Sequence, residues 1–215
     1  MKKLVIFDLD GTLLDTLGDL AAACNHALEK LNFPTHEEAA YRQMVGNGVM
    51  KLFERALPQE ARNMHNQELM RTYFTAYYNC HDMDRTHPYE GAHELLVSLR
   101  RQGLQLGVAS NKYQQATGRL VLHYFRDIHF CGILGQREGF RLKPDRQIVD
   151  DLMRLSGVTA SEVLYVGDSA VDMQTARNAG VEACGVTWGF RGREELEAEH
   201  PEHIIDRPDQ LLDLL

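Results

Sequence analysis

The sequence predicts an α/β protein, a parallel sheet layered between helices, with an all-helical insertion near its start. Three observations carry that expectation. Apolar runs alternate with helical patterns from about residue 87 onward, and such alternation signals βα units and a parallel sheet. Leu4-Val5-Ile6-Phe7 and Val163-Leu164-Tyr165-Val166 show no polar alternation, as expected of strands covered on both faces. From Asp15-Thr16 to about Thr86 only helical spacing occurs, so this stretch reads as a separate unit.

The first strand, Leu4–Phe7, empties into Asp8-Leu9-Asp10-Gly11-Thr12. Open α/β sheets place ligands outside the carboxyl ends of their strands. Two carboxylates there cost desolvation unless a cation or donor meets them. Taken alone, the segment reads equally well as a strand end with an Asp- and Gly-rich turn. In the insertion, Leu17, Leu20, Ala21, Cys24, Leu28 and Leu31 recur at helical spacing. Thr35 and Glu38 have the spacing of a capping box ahead of Ala39, Ala40, Met44 and Val45. Val49, Leu52, Phe53, Ala56 and Leu57 make a third set, and Leu69, Met70, Tyr73, Phe74, Tyr77 and Tyr78 a fourth. A four-helix unit is therefore expected, with the Tyr and Met stripe as its packing rather than a ligand box. Gly46-Asn47-Gly48 interrupts two of these patterns. It is either a plain helix–helix turn or a set of backbone amides facing an anion.

Past the insertion, a helix is expected around His93–Arg101, then strands near 105–109, 129–134, 163–166 and 182–186. The strand at 105–109 runs into Ser110-Asn111-Lys112, and Lys143-Pro144-Asp145 precedes the helical pattern Ile148, Val149, Leu152, Leu155. The run ending at Val166 empties into Gly167-Asp168-Ser169-Ala170-Val171-Asp172, then a helical pattern reaches Gly180. Asp172 falls in the first turn of that helix, where the macrodipole favours a negative charge. For Asp168, at the strand tip, a helix start supplies no such reason.

Composition bounds the reading. A chain of 215 residues buries one good core plus a small insertion. The net charge of −8 and the lack of a basic stripe argue against a nucleic-acid partner. The apolar stretch near the N-terminus breaks at Asp8, too short for a signal peptide or membrane span, so a cytoplasmic protein with no membrane partner is expected. The four cysteines stand far apart, without zinc or redox spacing, and the ten histidines form no ligand motif. No internal repeat or low-complexity stretch is present.

These four segments, in this order, resemble the motifs of the haloacid dehalogenase superfamily of hydrolases. The likeness comprises Asp8-Leu9-Asp10-Gly11-Thr12, Ser110, Lys143, and Gly167-Asp168-Ser169 with Asp172. It implies a Rossmann-like core from residues 1–14 and 87–215, and a helical cap from residues 15–86. Val45-Gly46-Asn47-Gly48 with Leu52 and Arg55-Ala56-Leu57, and Trp188-Gly189-Phe190 late in the chain, resemble the phosphoglycolate phosphatase-like group. Within that group, Gly46, Asn47, Gly48 and Arg55 are candidate specificity residues, although Arg55 also reads as a helix-surface side chain.

The resemblance implies a Mg2+-dependent phosphatase acting on a small phosphorylated metabolite through an aspartyl-phosphate. Asp8 would be the nucleophile and a metal ligand, Asp10 the acid–base residue and a ligand through its carbonyl, and Asp168 a ligand, with Asp172 ligating directly or through water. Gly11, Thr12, Ser110, Asn111 and Lys143 would hold the phosphoryl oxygens, and the protein would be a monomer or weak homodimer. Mg2+ suits an oxygen-only ligand set with room for water and phosphate. Asp10 argues against haloalkanoate dehalogenases and phosphonatases, which resemble this chain but lack an aspartate there. β-Phosphoglucomutases keep that aspartate, but they usually carry a His and an Arg where this chain has Leu20 and Val49. Pyrophosphate hydrolysis and a catalytically silent binding role remain the other readings.

Overall fold

Leu4–Phe7 forms β1, and all four of its residues are buried. It lies at the centre of a six-stranded sheet in the computed structural model, which describes all 215 residues. The order is β5-β4-β1-β6-β7-β8, with β4 at Gln105–Tyr113, β5 at Gly132–Gln136, β6 at Val163–Gly167, β7 at Glu182–Val186 and β8 at His203–Ile205. Every neighbouring pair is parallel. From β1 the sheet grows outward through β4 to β5 on one side and through β6, β7 and β8 on the other. That reversal of strand order makes the carboxyl end of β1 a topological switch point, the usual place for a ligand in such sheets.

Helices cover both faces. On one face Leu4, Ile6, Val163 and Tyr165 join a core with Ile148, Val149 and Leu152 of α7 (Gln147–Ser156) and Met173, Ala176 and Ala179 of α8 (Ala170–Ala179). On the other, Phe7 and Val166 line one small cavity with Ala92 and Leu95 of α5 (Ala92–Arg101) and Leu211 of the C-terminal 3₁₀ turn. The period-2 alternation along buried strands explains why both sets are apolar. Two further helices, α6 (Gln114–Tyr124) and α9 (Arg193–Ala198), complete this unit.

By contact density the chain divides into two compact units, Met1–Asp15 with Pro88–Leu215, and Thr16–His87. Two short paired strands, β2 (Leu14–Asp15) and β3 (His87–Pro88), mark the places where the chain passes between them. The second unit contains α1 (Leu17–Lys30), α2 (Tyr41–Met44), α3 (Val49–Ala56) and α4 (Met64–His81). Its core includes Cys24, Leu28, Phe53, Met70, Phe74 and Tyr78, all at most 1% exposed. Phe74 meets Phe53 edge-on at 5.2 Å and stacks on Tyr78 at 5.3 Å. The stripe on α4 is therefore packing at Met70, Phe74 and Tyr78. No helix is long and apolar enough to cross a membrane. All four cysteines are free; Cys24 and Cys184 are buried, while Cys80 is exposed.

Three local expectations differ from the structure. The capping box at Thr35 and Glu38 does not form: the turn at Glu38–Ala40 starts from Glu37 with no side-chain cap. The Glu38 carboxylate is drawn to Arg85 instead, at 2.6 Å, and Asn25 clamps His36 through both its backbone groups. The strand expected at 105–109 runs on to Tyr113, because after an irregular step past Ala109 the chain re-pairs at Tyr113 with Gln136. Its neighbour starts at Gly132 rather than near 129, with Gly107 opposite Gly132 setting the register.

The two ends of the helical unit are tied by one buried carboxylate. Asp19, 2% exposed on α1, accepts hydrogen bonds from the Arg85 and Thr86 amides and from Thr86 Oγ1, at 2.7–3.1 Å. A buried amide that loses such an acceptor keeps its full desolvation cost. Asp19→Ala is expected to lower unfolding stability by about 2–4 kcal/mol, and Asp19→Asn by less, in chemical denaturation. A loss below about 0.5 kcal/mol for the alanine variant contradicts this role.

Candidate active site

The sheet register brings three strand tips level. Phe7 lies opposite Val108 on one side and Val166 on the other. Asp8 therefore comes one residue beyond this row, and Ser110 and Asp168 two residues beyond it, on adjacent strands. The Asp8 amide still bonds the Val166 carbonyl at 2.9 Å, so the tip is held rigidly. Oxygens of Asp8, Asp168 and Asp172 all lie within 4.8 Å of one another, and all three residues are buried.

Lys143 organises this group. Its ammonium, on a residue 4% exposed, reaches Asp8 Oδ1 at 2.9 Å, Asp172 Oδ1 at 2.7 Å, the Ala109 carbonyl at 3.0 Å and Tyr165 Oη at 3.2 Å. The Asn111 side chain holds the Lys143 backbone, its amide donating to the carbonyl at 3.1 Å and its oxygen accepting from N–H at 2.8 Å. The Asn111 side chain is thus spent on positioning Lys143. Asp172 is fully buried, and its second oxygen accepts from the Ser169 amide at 3.1 Å and Ser169 Oγ at 2.6 Å. The helix-start role and the site role of Asp172 coincide in one side chain.

The Asp10–Thr12 segment folds back tightly: the Leu9 carbonyl accepts from the Thr12, Leu13 and Leu14 amides at 3.0–3.3 Å. Gly11 has φ +87°, and a Cβ there would fall 2.3 Å from Asp168 Oδ2, so only glycine fits. A Cβ on Gly189 would meet the Gly11 carbonyl at 2.3 Å. The same loop donates the Phe190 amide to Asp168 Oδ2 at 2.7 Å and Trp188 Nε1 to the Thr12 carbonyl at 3.0 Å. Thr12 Oγ1 is buried without a hydrogen-bond partner. Asp10 does not join the cluster of three; it pairs with Lys112 Nζ at 2.9 Å.

Charge at the site is unbalanced. Burial pushes the Asp8 carboxyl well above its ordinary value, and Asp172 adds to the rise against the opposing Lys143. Asp168 is pushed up to about 7 by burial and Asp172, with the Phe190 amide and Arg191 opposing. Burial disfavours the Lys143 ammonium, yet Asp172 and Asp8 outweigh it and the group is held firmly charged. Carboxylates raised in this way mark a site with too little positive charge for its acids. A divalent cation between Asp8 and Asp168 would correct that, and an all-oxygen donor set suits a hard ion. The buried carboxylates are thus a fit for a metal.

Gly46, Asn47, Gly48 and Arg55 belong to the helical unit and come together there. Gly46 and Gly48 take φ of 116° and 84°, making a turn between α2 and α3. The Arg55 guanidinium fills it, donating to the Met44 carbonyl at 2.8 Å and Asn47 Oδ1 at 2.7 Å. Arg55 is therefore more than a helix-surface arginine. Sequence reasoning missed Tyr165 and Lys112 as site residues. A hydroxyl inside an otherwise apolar strand was the available signal for Tyr165, whereas Lys112 reads as an ordinary polar residue after a strand.

Residues 5–186 match the family described as haloacid dehalogenase-like hydrolase. The phosphoglycolate phosphatase of Pseudomonas putida is 34% identical over 211 residues, spanning 96% of this chain and 77% of that protein. That of Mesorhizobium japonicum is 32% identical, spanning 98% and 93%. The crystal structure of a predicted phosphoglycolate phosphatase from Haemophilus somnus superimposes with a TM-score of 0.92 at 29% identity, covering 99% of this chain and 97% of that one. The chain belongs to the haloacid dehalogenase-like hydrolases, in their phosphoglycolate phosphatase-like group.

Proposed function

We propose that this phosphatase hydrolyses a small phosphate monoester, phosphoglycolate or a close analogue, with Mg2+ and through a phosphorylated Asp8. The observation that supports this most is the gathering of Asp8, Asp168 and Asp172, with the Lys143 ammonium paired to Asp8 and Asp172 and Asp10 set apart on Lys112. An attacking carboxylate and a phosphate ester repel each other; unit charges about 4 Å apart cost on the order of 4 kcal/mol at a dielectric near 20. Mg2+ held by Asp8, Asp168 and the Asp10 carbonyl would supply the positive charge that offsets this. Asp172, bound on both oxygens by Lys143 and Ser169, acts by fixing Lys143 and by shaping the field around the ion.

In this reading Asp8 attacks phosphorus and the bond to the leaving oxygen breaks. Asp10 passes a proton to that oxygen, then takes one from the water that cleaves the acyl phosphate and regenerates Asp8. Such acid–base assistance is typically worth 10²–10⁴-fold. Lys143 and Ser110 stabilise the phosphoryl oxygens, with Thr12 Oγ1, which lacks a partner, as a further candidate donor; the Gly11 and Thr12 amides, expected to share this task, are instead committed to the Leu14 and Leu9 carbonyls. The helical unit would serve as the cap that selects the substrate, with the Arg55-filled turn at Gly46–Gly48 as its candidate specificity element. A mutase role is disfavoured because Leu20 is 6% exposed in the helical core and Val49 is apolar, so neither can hold a second phosphate. Every residue the hydrolysis needs is present, which disfavours a silent binding role.

Asp8→Asn is expected to reduce phosphatase turnover by at least about 10³-fold with the fold intact by circular dichroism. Unchanged activity would refute Asp8 as nucleophile. Asp10→Asn should cost about 10²–10⁴-fold with alkyl phosphates but much less with p-nitrophenyl phosphate, whose leaving group needs no proton. Equal losses for both substrates remove the acid role. Chelation with EDTA should abolish turnover and Mg2+ restore it; activity that survives chelation rules out the metal. Phosphoglycolate, sugar phosphates and pyrophosphate, assayed side by side, test the substrate, and phosphoglycolate should show the highest kcat/KM.

A further inference from the structure

The site contains a second buried lysine that the hydrolysis above does not use. Lys112 is 8% exposed, and its ammonium reaches Asp10 Oδ1 at 2.9 Å. Its backbone is fixed on both sides: the amide donates to Ser110 Oγ at 3.2 Å, and the carbonyl accepts from Thr117 Oγ1 at 3.1 Å. The next residue, Tyr113, re-pairs with β5. A lysine rooted this firmly presents its charge at one place.

Stability gives little reason for it. Taking an ammonium and a carboxylate out of water costs several kcal/mol, and apolar replacements of buried pairs are often neutral or stabilising. Nor is Lys112 needed to neutralise the phosphoryl side, where Lys143 already serves Asp8 and Asp172. The two lysines divide the site between them, one beside the nucleophile and one beside the acid–base residue.

The distances say what a cation beside Asp10 can meet. To protonate a leaving oxygen, the Asp10 carboxyl must come within about 2.6–3.2 Å of it. The Lys112 ammonium, 2.9 Å from Asp10 Oδ1, then lies within roughly 6 Å of the same oxygen if Oδ1 carries the proton and within roughly 8 Å if Oδ2 does. In an ester whose carbinol carbon bears a carboxylate, the carboxylate oxygens lie roughly 3 Å from the ester oxygen. Turned to the Lys112 side of that oxygen, such an anionic group comes within charge-assisted hydrogen-bond reach of the ammonium. We propose that Lys112 is a specificity-determining residue that binds the substrate's second anionic group, a carboxylate on the carbon carrying the ester oxygen. The assignment rests on the phosphatase reading of the site and explains how the core itself would favour a phosphorylated 2-hydroxy acid over a plain alkyl phosphate.

The test compares phosphoglycolate with 2-hydroxyethyl phosphate, which replaces the carboxylate by a hydroxymethyl group, in wild type and in Lys112→Met. Wild type should prefer phosphoglycolate in kcat/KM, and Lys112→Met should cut that preference at least about 30-fold. Lys112→Arg, which keeps the charge, should retain part of it. If Lys112 only positions Asp10, both substrates lose the same factor and the preference stays, which overturns the proposal. Circular dichroism shows whether the variant is folded, and Lys112→Gln carries the same readout should the methionine variant fail. A wild type that hydrolyses monoesters without preferring phosphoglycolate overturns the role of Lys112 alone. A wild type inactive on every monoester overturns the phosphatase reading and the Lys112 assignment with it.

Discussion

The buried ammonium of Lys143 is the interaction on which the site is built. It touches two carboxylates, a strand carbonyl and a buried phenol, so it joins groups from the tip of β1, from β4 and β6, and from α8 at one point. Removing a charge from water on this scale is tolerated only where partners surround it. The structure therefore commits several residues to holding that one group. Asn111 grips its backbone, Ser169 braces Asp172, and Tyr165 supplies a hydroxyl from within the sheet.

Around this point the parallel sheet gives the geometry. Adjacent tips in register deliver Asp8, Ser110 and Asp168 to one place without any long side chain having to reach, which keeps their conformational cost low. The loops beyond the tips then interlock. Gly11 and Gly189 permit backbone approach that no side chain would allow, and the loop after β7 offers an amide to Asp168. The site is preorganised by backbone packing as much as by charge.

Much of this was legible in the sequence, and the reason differs by element. β1 and β6 were plain because unbroken apolar runs have few alternatives in a chain of this size. The order of the four motifs was plain because each carries a residue type that packing does not require. The Thr35–Glu38 cap failed because local spacing cannot register a distant arginine that claims Glu38. The extension of β4 to Tyr113 was not legible because polar residues past Ala109 end an apolar pattern even where the backbone goes on pairing. Lys112 and Arg55 escaped a full reading for a shared reason. Their meaning lies in partners eight to about a hundred residues away, which no periodicity encodes.

The chain has one tryptophan, and its indole N–H is bonded to the Thr12 carbonyl, within the turn that follows Asp8. Tryptophan emission from this protein therefore originates beside the turn that follows Asp8, not from the helical unit or the far edge of the sheet. Any rearrangement of that turn alters the hydrogen bond to the fluorophore directly, so the native chain contains its own optical probe of the Asp8 turn, with no label added.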